Sequence, residues 1–479
     1  MIFQGRTRDL DLLSGQYRAV VEGSGATRGR AVIMTGRRRV GKSRLAQEFC
    51  ERSNSPYLVF QATRGRNPQA ERADFVTTLA ESPLPGAELV AGLQVQDWNQ
   101  ALRSLALAVP QDRPSVVVID EVPWLVEQDT EFEGALQTVW DRQLSAKPVL
   151  LLLVGSDLSV MQALQSYGRP FFGRAAKMVV DPLNLADVRT VTSLDAATAV
   201  DAYLITGGFP EIVQSWRPGT SRTEFLQASL ANPLSPLLVA GELVLSGEFP
   251  AAGHSRAVLE SIGSGERTFS AIAAQAGGAN ALPSGTLSPL LTTLQEKRIL
   301  AVDVPLSTKP DSKNKRYRIT DPYLRFWLAF LRRGVPFAER GRADLALQLI
   351  ERSWTAWRGR AVEPLVRESL LRLLPDSGWS EAEVVGGWWN RQNNPEIDLV
   401  GADRAPVAAK VHFVGSVKWL ANRPFDRHDY DALVRDVLAV TGATPDTPLV
   451  AVSRAGVTPG LPLAAHWGPD DLVDAWQRR

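Results

Sequence analysis

Over residues 1–182 short apolar runs alternate with stretches of helical period, the pattern of a parallel sheet covered by helices. The runs fall at 31–35, 57–61, 115–119, 149–154 and 177–180, and they are apolar along their length, as strands buried on both faces are. From 184 to about 249 the pattern turns mostly helical, broken by Gly207-Gly208-Phe209-Pro210, and reads as a helical lid. Residues 254–262, 268–276 and 284–297 read as three short helices, with strands following at 299–304 and 316–320. Beyond 323 the chain offers a helix at 361–374, strands at 384–389, 395–401, 413–419 and 448–452, and a helix at 430–440. Nine of the thirteen tryptophans lie in this last stretch, which marks it as a separate domain. The expected divisions are 1–182, 183–250, 251–322 and 323–479.

The first apolar run feeds GRRRVGKS, residues 36–43, and the loop opens onto a helical pattern. Gly36 and Gly41 permit tight turns that aim successive N–H groups at an anion, and the helix start adds its dipole. Lys42 would reach the β and γ phosphates of a nucleotide, and Ser43 offers a hydroxyl to Mg2+. The expected cradle is Gly36, Arg37, Arg38, Arg39, Val40, Gly41, Lys42, Ser43 and Arg44. Because backbone amides line such a cradle, the three loop arginines are expected mainly to meet solvent or a neighbouring domain.

SVVVIDE (115–121) is an apolar strand ending in two carboxylates. Asp120 is expected to hold magnesium through water and Glu121 to polarise the water that attacks the γ phosphate. The strand at 149–154 ends in Gly155-Ser156-Asp157, and Ser156 is the expected γ-phosphate sensor. In SYGRPFFGR (166–174) Arg174, with Arg169 in reserve, is the candidate to stabilise charge on the transferred phosphoryl group, in cis or in trans. The expected catalytic set is thus Lys42, Glu121, Ser156 and Arg174, with Ser43 and Asp120 on the metal.

MIFQGRTRDLDLL, GRRRVGKS, VVVIDE, the Gly-Ser after the fourth strand, FFGR and GGFP occur in this order. The set resembles the archaeal-type AAA+/STAND ATPases, whose lead-in F-x-GR-x-x-EL-x-x-L precedes the same succession; Asp9 stands here for the usual glutamate. The resemblance covers the N-terminal two-thirds closely. It implies an α/β P-loop NTPase parallel sheet with a helical lid, a winged helix-turn-helix and a C-terminal α/β restriction-endonuclease-like domain. It also implies ATP and Mg2+ as ligands and nucleotide-gated conformational change. Loop chemistry does not separate ATP from GTP, so adenine rests on the resemblance.

In the winged-helix unit a DNA reading would place 284–297 in the major groove and Lys309, Lys313, Lys315, Arg316 and Arg318 near phosphates. The reading helix is almost uncharged, which favours packing or wing-led contact over sequence readout. In the last domain the order of elements resembles the nuclease-like domain attached to the same ATPases, and matching positions give Glu363, Asp398 and Lys418. Ser416 falls where those nucleases carry a metal-binding glutamate. A neutral hydroxyl does not balance a divalent cation, so a degenerate nuclease fold used for interaction is expected. His254, His412, His428 and His466 show no ligand spacing.

The 479 residues carry a net charge of +1, so attraction to nucleic acid or an anionic membrane would need a local patch. A single cysteine, Cys50, allows no internal disulfide and fits a reducing cytoplasm. The N-terminus lacks a signal-peptide core, and the longest apolar run is too short to span a bilayer. Three readings follow: an ATP-hydrolysing switch with a protein client or self-association, a nucleotide-bound DNA or protein regulator that scarcely hydrolyses, and an ATP-controlled nuclease.

Overall fold

The computed structural model describes residues 3–23, 27–248, 254–263, 265, 267–311 and 313–477. Met1 and Ile2 of the lead-in, the expected boundary at 250/251, and Ser312 of the wing connector lie outside the described residues. The chain divides after Pro182 into two compact units.

In the first unit, α1 (Thr7–Glu22) precedes β1 (Arg30–Thr35), α2 (Lys42–Ser53), β2 (Tyr57–Gln61), α3 (Pro68–Ala80) and α4 (Trp98–Ala108). Then come β3 (Ser115–Asp120), α5 (Val122–Gln128), α6 (Phe132–Val139), β4 (Val149–Gly155), α7 (Leu158–Ala163) and β5 (Ala176–Val179). The five strands pair in parallel in the order β2-β3-β4-β1-β5. Each sits within a residue of the run that the hydrophobic pattern marks. This is an α/β P-loop fold: β1 and β3 are separated by β4, so the loop after β1 and the carboxylates ending β3 flank the same carboxyl edge. β3 and β4 are buried at every position. One sheet face is closed by an edge-to-face run of Phe60, Phe75, Trp98 and Phe132, with centroids 5.0, 5.7 and 5.1 Å apart.

The second unit begins with α8 (Leu185–Thr192), α9 (Ala196–Thr206), α10 (Pro210–Ser215), α11 (Arg222–Ala231) and α12 (Pro236–Glu248). Next are α13 (His254–Ile262), α14 (Phe269–Ala276), α15 (Ser284–Glu296) and an antiparallel ribbon of β6 (Leu300–Asp303) with β7 (Arg316–Ile319). Helices α16 (Pro322–Phe326), α17 (Arg332–Glu339), α18 (Ala343–Ala361) and α19 (Glu363–Leu373) lead to β8 (Val384–Trp389), β9 (Glu396–Ala402) and β10 (Val411–Lys418). α20 (Arg427–Asp436), β11 (Leu449–Ser453), β12 (Ala465–Trp467) and α21 (Pro469–Asp474) complete it. The sheet order is β12-β11-β10-β9-β8, antiparallel from β8 to β10 and parallel from β10 to β12.

Lid, three-helix and C-terminal segments belong to one compact unit, and the aromatic stretch after Asp321 shows how. The Tyr323 hydroxyl donates to the Leu237 carbonyl at 2.9 Å and Trp327 Nε1 to that of Leu238 at 3.2 Å. Gly241 lies so near the Trp327 ring that a Cβ there would stand 2.4 Å from it. The hinge aromatics are therefore core groups tied to α12. Among the described residues no single helix is long and apolar enough to cross a membrane; one bent pair, Arg222–Ala231 with Pro236–Ser246 at 70°, passes by length and composition alone.

Candidate nucleotide site

The loop from Gly36 to Ser43 is shaped by two glycines with different duties. Gly36 leaves β1 beside the chain that follows β5, and a Cβ there would come 2.3 Å from the Val180 carbonyl oxygen. Gly41, at φ 88°, caps α2 in the left-handed region where a side chain would be strained. Arg39 shares that region at φ 66°, while the side chain of Val40 is buried and anchors the crest. Lys42 opens α2 and folds back, its Nζ donating to the carbonyls of Gly36 and Arg37, both at 2.9 Å. It is only 6% exposed, and burial lowers its pKa to about 8 against the opposing pull of Glu121 and Asp120. Ser43 is exposed in the first turn.

Asp120 ends β3 almost fully buried, and its Oδ1 accepts the Glu121 amide at 2.9 Å. The backbone then turns left-handed at Glu121, φ 56° and ψ 42°, an arrangement that costs a non-glycine residue about 1–3 kcal/mol. This bend, rather than strand alternation, separates the two carboxylates. Ser156 follows β4 and donates to both Glu121 oxygens, at 3.2 and 3.1 Å. Its hydroxyl, expected to read the γ phosphate, holds the neighbouring carboxylate in this structure. Gly155 makes the approach possible, since a Cβ would lie 2.5 Å from Met161 Sδ and 2.7 Å from Pro123 Cδ.

Other expected groups are placed elsewhere. Arg174 grips Asp141 through Nε and Nη2 at 2.8 and 2.7 Å, and its Nη1 donates to the carbonyls of Pro170 and Phe172. That bidentate carboxylate raises its pKa. Arg169 pairs with Glu133. Neither arginine is drawn to Lys42, Asp120 or Glu121. The Arg44 side chain lies along α2, bonded to Glu48 at 2.7 Å and near the Phe3 ring. Arg38 is exposed yet close enough to Lys42 to oppose its charge.

One residue without an expected role belongs to this site. Arg6, 5% exposed and at φ 60°, donates to the Val40 carbonyl and pairs with Asp9 at 2.7 Å. It braces the crest of the loop from beneath, and Asp9 reaches it despite being shorter than a glutamate. The Gly-Arg pair just before a helix was the available signal. Replacing Arg6 with alanine is expected to cost about 2–3 kcal/mol in urea unfolding and to weaken nucleotide binding, as removal of a buried charged donor does. Unchanged nucleotide affinity in Arg6→Ala would show that the brace does not shape the loop.

Among the described residues no group of three or more His, Cys, Asp or Glu converges on a metal position. Asp120 and Ser43 nevertheless suit Mg2+, which takes few protein oxygens and completes its shell with water and phosphate.

In the second unit register sets Asp398 on β9 beside Ser416 on β10. Asp398 Oδ2 accepts the Ser416 hydroxyl at 2.9 Å and the Val417 amide at 2.7 Å, and burial pushes its carboxyl upward. Arg367 donates to the Asp398 carbonyl through Nε and Nη2 at 3.1 and 3.0 Å, and to Glu363 at 3.1 Å. Lys418 pairs with Asp429 at 3.2 Å. The guanidinium thus ties the Glu363 carboxylate to the main chain at Asp398, and a single carboxylate beside the neutral Ser416 is a poor ligand set for a divalent cation. On the ribbon, Arg316 lies over Trp389 at 4.1 Å and bonds Glu396 and Asn393, while Arg318 bonds Asp303. Lys309, Lys313 and Lys315 are exposed.

Residues 327–428 match DUF234, described as archaea bacterial proteins of unknown function. The second unit carries that segment. An uncharacterized protein of Methanocaldococcus jannaschii is 24% identical over 396 residues, 81% of this chain and 82% of that relative. Among solved structures, a Walker-type ATPase of Pyrococcus abyssi is similar with a TM-score of 0.46 and 17% identity, covering 68% of this chain and 96% of its own. The Aeropyrum pernix ORC2 protein, solved as ADPNP and ADP complexes, gives 0.43 and 14%, covering 72% and 95%.

Proposed function

We propose that this chain is a cytoplasmic ATPase switch, binding and hydrolysing ATP at the loop of the first unit and passing its nucleotide state to the second. The observation that carries the reading is the meeting of Lys42, Asp120, Glu121 and Ser156 at one carboxyl edge of a parallel sheet. Loop amides and Lys42 would bind the phosphates, Lys42 exchanging the carbonyls of Gly36 and Arg37 for phosphate oxygens. Mg2+, held through Ser43 and Asp120, would neutralise charge on the β and γ phosphates. Glu121 accepts the proton of the attacking water, and Ser156 fixes the direction of that carboxylate. Arg174 would act only after leaving Asp141, which makes it a group released by assembly or by a partner. Steady-state ATP turnover tests the proposal: tight ATP binding without turnover would favour the regulator reading instead.

The Asp398 site is proposed as an interaction surface rather than a nuclease, because Ser416 stands where a second metal-binding carboxylate is needed, and its hydroxyl and the Val417 amide already engage Asp398 Oδ2. Incubation with DNA and Mg2+ or Mn2+ is expected to yield no cleavage, for wild type and Asp398→Asn alike. Products that vanish in Asp398→Asn would overturn this. DNA is the weaker partner reading, since of the five basic residues named for the ribbon Arg316 and Arg318 are engaged within the unit, leaving the three lysines exposed.

A further inference from the structure

The carboxyl edge of the first unit's sheet carries a turn that none of the sequence motifs includes. β2 ends at Gln61, level with Asp120 on β3, and the pairing runs one residue further, the Ala62 amide donating to the Asp120 carbonyl at 3.0 Å. Thr63-Arg64-Gly65-Arg66 then turn sharply: the Arg66 amide donates to the Thr63 carbonyl at 3.4 Å, and Gly65 sits at φ 70°. The turn thus follows the strand next to β3, a lateral spacing of about 4.8 Å from the chain that leads into Glu121. Arg174 stands at the other end. It precedes Ala176, which pairs with Val32, and so lies about 20 Å along the strands from the end of β1.

Side chains from two helices fix this turn. Glu71 of α3 accepts the Thr63 amide at 2.8 Å, and Gln128, the last residue of α5, donates to the Thr63 carbonyl at 2.9 Å. Arg66 pairs with Asp74 of α3 at 2.7 Å, and Arg72 ties α3 to Asp129 at 2.8 Å. Glu71 is 1% exposed, and Arg66 Nε stands 3.8 Å from its Oε2. Burial pushes this carboxyl upward. A buried carboxyl that accepts one amide is a costly means of fixing a surface turn. α5 begins directly after Glu121, so its hold on Thr63 joins the turn to that carboxylate's own helix. With Arg66 engaged, the turn presents Arg64, which is exposed.

We infer that Arg64 meets the γ phosphate of a nucleotide bound in the same chain, from a turn that Glu71 and Gln128 hold in place. The inference rests on the nucleotide reading above. In hydrolysis the water oxygen bonds to the γ phosphorus, its proton passes to Glu121, and the bond to the β–γ bridging oxygen breaks with its electron pair leaving on ADP. A guanidinium beside the γ oxygens offsets the charge that spreads over them in this step, and it distinguishes ATP from ADP, which lacks them. Arg64 would touch the substrate; Glu71, Gln128 and Gly65 are positioning residues.

Equilibrium binding of ADP and of the β,γ-imido analogue of ATP to the full chain with Mg2+, beside single-turnover ATP hydrolysis, tests this. Arg64→Ala is expected to weaken the analogue about tenfold with ADP unchanged, and to slow hydrolysis about 10²-fold, the worth of one charged donor at a developing charge. Because Arg64 is exposed, the melting temperature should hold. Gly65→Ala keeps the guanidinium but strains the turn at φ 70°, with no atom within 4 Å for the added methyl to strike. It is expected to lower both quantities in the same direction by a smaller factor. Equal weakening of ADP and the analogue in Arg64→Ala would reduce Arg64 to a surface charge and overturn the contact, as would affinities and hydrolysis equal to wild type. Wild-type behaviour of Gly65→Ala would overturn the held turn. Failure of the wild type to bind either nucleotide would overturn the nucleotide reading itself, and this inference with it.

Discussion

Glu121→Gln is expected to lower ATP turnover by about 10²–10⁴-fold, the usual worth of a positioned general base, while ATP affinity changes little. The substitution keeps shape and retains an acceptor for the Ser156 hydroxyl, so the bend at φ 56° and the contact between β3 and β4 should persist. Removed is the ability to take a proton from water. Ser156→Ala provides the contrast: the carboxylate remains but loses its two hydrogen bonds, and a fall of about tenfold in kcat is expected from looser positioning. Single-turnover hydrolysis with equilibrium ATP binding on the same samples separates the effects. Turnover in Glu121→Gln equal to wild type would remove Glu121 from the chemistry, and unchanged turnover in Ser156→Ala would leave its hydroxyl a purely structural contact.

The first unit was legible because its strands are buried on both faces and therefore written as unbroken apolar runs; 115–119 and 149–154 fall within β3 and β4. Helices α16 to α18 were not. They carry a five-residue π turn at Trp327–Leu331, a proline inside α17, and aromatics buried on several sides, all of which erase a clean 3.6-residue period. At the candidate site, residue identity was readable but direction was not. Nothing in VVVIDE announces that Glu121 turns left-handed or that Ser156, 35 residues on, meets its carboxylate. Arg174 was singled out for its place between strands, whereas its partner, Asp141, lies 33 residues earlier and is joined only by folding. Ser416 is a similar case. Its neutral side chain was legible only as standing where the resembled nucleases carry a glutamate, and its hydrogen bond to Asp398 comes from the pairing of two strands.

Lys42 carries the second large expectation, and its sign follows from burial. In the unfolded chain the ammonium loses its proton near 10.5, whereas in the folded protein desolvation brings this to about 8. Between those values the unfolded state holds the proton and the folded state does not, so stability rises with pH through this window, by about 3 kcal/mol from this group. Below about 8 the cost of a buried charge is fully present. Phosphate reverses the preference, since it binds the ammonium form. ATP affinity is therefore expected to be flat below about pH 8 and to fall about tenfold per unit above it. Lys42→Met keeps the stem but not the charge. It should lose about 10²–10³-fold in ATP affinity, as when one partner of a buried charge pair is removed, and its remaining affinity should no longer fall above pH 8. Without nucleotide at pH 7 the same variant should melt no lower than wild type, because the loss of two hydrogen bonds to loop carbonyls is offset by relief from burying a charge. An affinity profile above pH 8 identical in wild type and Lys42→Met would show that the proton involved belongs to another group.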